Sequence, residues 1–168
     1  MTISMYQASV PVFMRMLGNL RAILEKAVAH AEAKKFEPAV LVSGRLAPDM
    51  FALARQVQIA ADMAKGCGAR LAGVEPPKHE DTEATIPELV ARIDKTLAFL
   101  KTLKAEQIDG SEDRTVSLQL RTGPREFKGL VYLLHFAMPN FYFHCATAYN
   151  ILRHNGVEIG KQDFLGRS

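Results

Sequence analysis

Between residues 10 and 28 the apolar positions are Val10, Phe13, Met14, Leu17, Leu20, Ile23, Leu24, Ala27 and Val28. Steps of three and four repeat, which is the period of a helix with one buried face. This predicts a first helix over 2–35, with a turn or two ahead of Pro11 and a polar, alanine-rich exit. Glu37-Pro38 stops it, and Ala39-Val40-Leu41-Val42 adds at most a short turn. A second helix is expected over 48–71, with Pro48 in its first turn. Its stripe is Met50, Phe51, Leu53, Ala54, Val57, Ala60, Ala61 and Ala64. The later half is built of small residues, which let a facing helix come close, leave room for a cavity or suit a dimer contact. Gly73 and Pro76-Pro77 end it. Thr85, with Glu88 three residues on, has the form of a capping box for a third helix reaching to about 105. Leu89, Val90, Ile93, Leu97, Leu100 and Leu103 form its core stripe.

The period then changes. Thr115-Val116-Ser117-Leu118-Gln119-Leu120 alternates, which reads as a strand. Thr122-Gly123-Pro124 turns the chain, and Arg125-Glu126-Phe127-Lys128 returns as a second short strand. Residues 129–138 look like a short apolar helix. Pro139 then restarts or kinks the chain into a final helix over 139–155, stopped by Asn155-Gly156. The tail, polar apart from Ile159, Phe164 and Leu165, is expected to pack over a bundle end or onto a partner. Three long helices and one broken at Pro139 predict a single all-α domain over 1–168. The expected architecture is an antiparallel four-helix bundle with a small β-hairpin before the last helix.

Composition narrows the function classes. A length of 168 residues suits one domain. The net charge of +3, from 21 basic and 18 acidic side chains, is scattered, so no nucleic-acid partner is expected. No apolar run is long enough for a membrane span, and no basic stretch leads into an apolar leader. The expectation is no membrane association and a cytoplasmic location. Two cysteines, Cys67 and Cys145, make no disulfide framework. His144 adjoins Cys145, but successive helical residues point about 100° apart, so adjacency alone does not pair them.

His144 is the most informative polar residue. It lies mid-helix on a stripe with Asn140, Phe143, Thr147 and Ile151. Asn140 is one turn away and on the same face. Unpaired polar groups in a core cost about 1–3 kcal/mol, so this pair needs partners. A core histidine bonded to a neighbouring helix and a ligand site both answer that need. The second helix offers Gln56 and Gln58, about 160° apart around the helix, so only one can look squarely into the bundle. The candidate ligand pocket is therefore Gln56, Gln58, Asn140, Tyr142, His144 and Thr147. His30, His79, His135 and His154 are expected to be structural or solvated.

Several stretches resemble an uncharacterised domain-of-unknown-function family. They are Met5-Tyr6-Gln7-Ala8-Ser9-Val10-Pro11-Val12-Phe13, Arg45-Leu46-Ala47-Pro48-Asp49-Met50-Phe51, Gln56-Val57-Gln58, Arg70-Leu71-Ala72-Gly73-Val74-Glu75, Pro139-Asn140-Phe141-Tyr142-Phe143-His144 and Leu152-Arg153-His154-Asn155-Gly156-Val157. That family resembles a branch of the DinB-like superfamily of four-helix bundles, grouped as candidate metalloenzymes. The resemblance implies a homodimer, and in some relatives a metal-dependent transfer of low-molecular-weight thiols. It also implies a metal site of one histidine on the second helix and two, four apart, on the last. Aligned on Gly156, His144 takes the place of the second, Asn140 stands at the first, and Gln56 or Gln58 stands on the second helix. Amide oxygen is a poor ligand for zinc, nickel or iron. No cofactor is therefore expected. Any weak divalent metal (Zn, Ni or Fe) would fall to His144, Asn140 and Gln58. The leading expectation is a degenerate metal site that binds a small molecule. The alternatives are a metal-dependent thiol transferase or hydrolase-like enzyme using His144, and a structural dimeric interaction protein.

Overall fold

The structure is a computed structural model that describes residues 2–166. It is mostly helical, with a small two-stranded antiparallel hairpin. The helices are α1 (Val10–Lys34), α2 (Ala39–Val42), α3 (Leu53–Ala72), α4 (Ile86–Thr102), α5 (Ala105–Ile108), α6 (Gly129–Tyr132), α7 (Met138–His154) and α8 (Lys161–Leu165). Strands β1 (Thr115–Leu120) and β2 (Gly123–Lys128) pair with Val116 opposite Phe127.

Local chemistry sets the boundaries, and two differ from the expectation. Pro11 occupies the first turn of α1, so the helix starts at Val10 and the residues before it form turns instead of the helical lead expected. The second helix begins at Leu53 instead of 48. The preceding segment is folded back on itself, with Arg45 Nη1 donating to the Met50 carbonyl and the Leu53 amide donating to the Gly44 carbonyl, both at 2.9 Å. The third helix starts as its cap foretold. Glu88 N–H donates to Thr85 Oγ1 while Glu88 accepts from the Thr85 amide. The chain does not break at Pro139. A π-turn, Leu133–Ala137, joins α6 to α7 in one continuous rod. Proline has no N–H to give the preceding turn, and a widened turn accommodates that loss.

Contacts fix the helix directions. Gln56 meets His144 at one end of α3, and Arg70 meets Tyr132 at the other, so α3 and α7 are antiparallel. Arg21 meets Asp94 while Val28 lies by Pro87, so α1 and α4 are antiparallel. But Asp62 meets Arg92 and Gly68 lies against Leu100 and Leu103, so α3 and α4 run the same way. Phe13 meets Phe141 and His30 lies near Gly156, so α1 and α7 also run the same way. The wholly antiparallel arrangement expected is thus corrected to two antiparallel and two parallel neighbours. The physical reason is the connection 73–85. Thirteen extended residues span roughly 43 Å, enough to return along the full ~30 Å of a 20-residue helix.

The core lies between these four helices. The small residues of α3 are used within the chain. Ala60, Ala61, Ala64, Cys67 and Ala69 are fully buried, and a side chain at Gly68 would meet Leu103 at 2.8 Å. That face is therefore not free for a second copy. Gly129 is likewise forced, because a Cβ there would collide with the Ser111 carbonyl where the hairpin enters α6. The tail lies along α1. Asn19 donates to the Phe164 carbonyl at 3.0 Å, and Phe164 packs edge-on to Tyr149.

Candidate functional site

His144 points inward at the α3–α7 seam and is 9% exposed. Its Nδ1 lies 2.7 Å from Gln56 Oε1. The other end of the same amide, Nε2, donates to the Phe51 carbonyl at 3.0 Å. A carbonyl can only accept, so this bond fixes which way round the amide sits. Its oxygen therefore faces the ring, and Nδ1 carries the proton. In the neutral imidazole, Nε2 is then left as an unprotonated acceptor. Burial, followed by the nearby charge of Arg55, lowers the affinity of His144 for a second proton. Phe143 packs edge-on against the ring at 5.2 Å between centroids and is itself 55% exposed. The arrangement is a neutral, orientation-locked hydrogen-bond acceptor with an aromatic neighbour.

The other expected pocket residues are placed differently. Gln58 is buried on the opposite flank of α3, where it donates to Glu83 at 2.9 Å and accepts from Arg55 at 3.3 Å. Asn140 is half-buried and gives its amide to the Phe136 carbonyl in the π-turn, at 2.6 Å. Thr147 is buried and donates to the Phe143 carbonyl at 2.7 Å. Tyr142 is 39% exposed and touches Phe141 edge-on. The structure therefore brings together Gln56 and His144, while Gln58, Asn140 and Thr147 bond elsewhere. Cys145 and Cys67 are fully buried free thiols, and burial pushes both far above the ordinary thiol range.

A second polar cluster was not anticipated. Arg92 is 1% exposed and is held by Asp62 at 3.0 Å, Asp81 at 2.9 Å, Glu83 at 3.0 Å and the Glu80 carbonyl at 3.0 Å. Arg55 also pairs with Asp81, and Lys65 with Asp62. Burial pushes the Glu83 carboxyl up. Its hydrogen bonds, including those from Arg92 and Gln58, outweigh that and hold it below the ordinary range. The signal was in the sequence. Arg92 stands three residues after Leu89 and one before Ile93, in phase with the core stripe, and Glu80-Asp81-Thr82-Glu83 precedes it.

With this geometry in hand, comparison with known proteins is decisive at the level of family. A model described as a domain of unknown function, DUF1993, matches residues 5–165. The chain belongs to the DUF1993 family. A crystal structure described as a DinB family member protein from Shewanella denitrificans is 44% identical. The match covers 97% of this chain and 92% of that one, with a TM-score of 0.89. No curated protein matches. The stretches in which the sequence resembled a DinB-like domain of unknown function all fall inside the DUF1993 match.

The DUF1993 chain can be tested against the metal that the DinB resemblance implies. Gln56 Oε1 is spent on His144, Gln58 on Glu83 and Arg55, and the Asn140 amide nitrogen on Phe136. One imidazole nitrogen and the Asn140 amide oxygen are left, and an amide oxygen is a poor ligand for zinc, nickel or iron. Among the described residues, no group of three or more His, Cys, Asp or Glu is placed to hold a metal ion. These donors do not fit a transition metal. Among the described residues, no helix is long and apolar enough to cross a membrane.

Proposed function

We propose that this DUF1993 protein is a DinB-like four-helix bundle that binds a small molecule at the Gln56–His144 pair, without a resident transition metal. The observation that carries the reading is the amide of Gln56, tied at one end to the Phe51 carbonyl and at the other to Nδ1 of His144. It presents Nε2 as an acceptor and favours a ligand with an O–H or N–H donor beside an apolar group. Phe51 and Phe143, both more than half exposed, supply apolar surface for that group. Burial, and after it the charge of Arg55, lowers the ring's affinity for a second proton, which favours the acceptor form.

A fragment screen read on the histidine ring signals by NMR tests this. Ligands should move His144, and binding should disappear in His144→Phe. A parallel titration with Zn²⁺ should give only weak binding, with a dissociation constant no tighter than about 10⁻⁴ M. Submicromolar zinc bound through His144 would restore the metalloenzyme reading, including its thiol-transferase and hydrolase-like forms.

A specific observation favours a homodimer beside this. Residues 129–152 contain no Asp, Glu, Lys or Arg. Along that rod Leu130, Val131, Leu134 and Phe143 are 42–55% exposed. A helix apolar on its outer face as well as its inner one calls for a cover. A second copy presenting the same uncharged face meets it on a two-fold axis without opposing like charges. Leu134→Lys should convert a dimer to a monomer in sedimentation equilibrium, and an unaltered mass would exclude this face as the interface.

A further inference from the structure

A groove of about 570 Å³ lies between the C-terminal half of α3 and residues 75–80 of the connection that follows it. Two features mark it, the seating of Arg70 against Gly66 and an unpartnered nitrogen of His79. Gly66 stands inside a helix, where glycine is unfavourable, and any Cβ there would collide with Nη1 of Arg70. The glycine thus lets the guanidinium lie back along α3. Arg70 is held there by Nη1 donating to the Tyr132 hydroxyl at 3.2 Å, while its Nε and Nη2 have no partner among the described residues. The second feature is His79, which lines the groove and whose Nδ1 is buried without a hydrogen-bond partner among the described residues. An orphaned buried nitrogen calls for a partner that comes from outside the chain.

The electrostatics select the sign of that partner. Of the carboxylates lining the groove, Asp62 is engaged by Lys65 and Arg92, and Glu75 and Glu80 are exposed to solvent. Burial lowers the proton affinity of His79, and the charges of Lys65, Arg92 and Lys95 lower it further against the opposing pull of Asp62. Cations therefore dominate at the ring. Met63 and Pro76-Pro77 give the groove an apolar wall.

We propose that this groove binds a small organic anion whose charged oxygens lie between Arg70 and His79 and whose apolar part rests on Met63 and Pro76-Pro77. The head group is an oxyanion, carboxylate or phosphate. The site is separate from the Gln56–His144 pair and stands whether or not that pair binds a ligand.

The test follows the histidine ring signals of the full chain by NMR during titration with inorganic phosphate and, separately, with hexanoate, against chloride at equal ionic strength. His79 should shift saturably and titrate at higher pH when the anion is bound, while His144 stays still. Arg70→Gln should weaken binding about tenfold or more. Lys78→Gln, at an exposed position that leaves the fold intact, should weaken it several-fold. Saturation by phosphate alone assigns the head group as phosphate, and tighter binding of hexanoate assigns a carboxylate with the apolar wall in use. If His79 follows neither anion up to about 50 mM, or responds equally in both variants, the proposal is overturned.

Discussion

On its α7 flank, helix α3 presents one neutral polar pair, Gln56 against His144. On its α4 flank it presents Arg55, Gln58, Asp62 and Lys65 to the acidic connection and to Arg92. The second seam is dense and self-neutralising. Three cations face Asp62, Asp81 and Glu83, and each cation is paired with at least one of these carboxylates. It clamps a segment that must run the length of two parallel helices, so its work is structural. The first seam is sparse. It holds one ring by one nitrogen and leaves the other without a partner among the described residues. A neutral polar group held in place by one of its two nitrogens is suited to a ligand; charged groups paired with one another are suited to holding the fold.

The largest expected effect comes from the clamp. Arg92→Met removes the cation that Asp62, Asp81 and Glu83 share, leaves Glu83 without a charged partner and should cost about 3–5 kcal/mol in chemical denaturation. A loss below about 1 kcal/mol would mean that the connection is held by something else. The neutral pair should cost less. Gln56→Leu or His144→Phe alone leaves one buried polar partner unsatisfied, for about 1–3 kcal/mol each. The double variant should recover part of the sum, because neither polar group then remains. A double-mutant cycle that adds without coupling would show that the two do not interact.

The pH dependence is smaller and separates the seams by window. His144 holds a proton less tightly in the folded state than its ordinary value of 6.5, so the unfolded chain protonates first. Stability is full at neutral pH and falls as pH drops below about 6.5, until His144 itself protonates. Burial places His79 in the same window. Glu83 is depressed below its ordinary value of 4.5, so its contribution persists to lower pH and is lost as pH falls through the folded-state value. His144→Phe should therefore flatten part of the slope just below pH 6.5 and leave the acid limb unchanged. Glu83→Gln should do the reverse.

Much of this was legible in the residues, and the failures have physical causes. The four apolar periods, the Thr85–Glu88 cap and the alternation at 115–120 are local signals, and each gave its element. The inward ring of His144 followed from its stripe. That one of Gln56 and Gln58 must turn away followed from their angular separation, but which one turned depended on the Phe51 carbonyl just ahead of the helix and on Glu83, 25 residues from Gln58. Helix direction was missed because periodicity does not encode it. The length of the connection 73–85, with an arginine in the core phase of the next helix, was the available clue. The spacing of Asn140 and His144 places the two on one face and suggests a pair. The π-turn, invisible in the pattern, gave the Asn140 amide the Phe136 carbonyl instead.

Nitrogen-15 NMR of the histidine side chains near neutral pH decides the matter most directly. For His144, Nδ1 should resonate as a protonated, pyrrole-type nitrogen and Nε2 as an unprotonated, pyridine-type one, with the pattern loosened in Gln56→Leu. A protonated Nε2 in the free protein would mean that Gln56 does not hold the ring as described, and the acceptor on which the proposed ligand site rests would not exist.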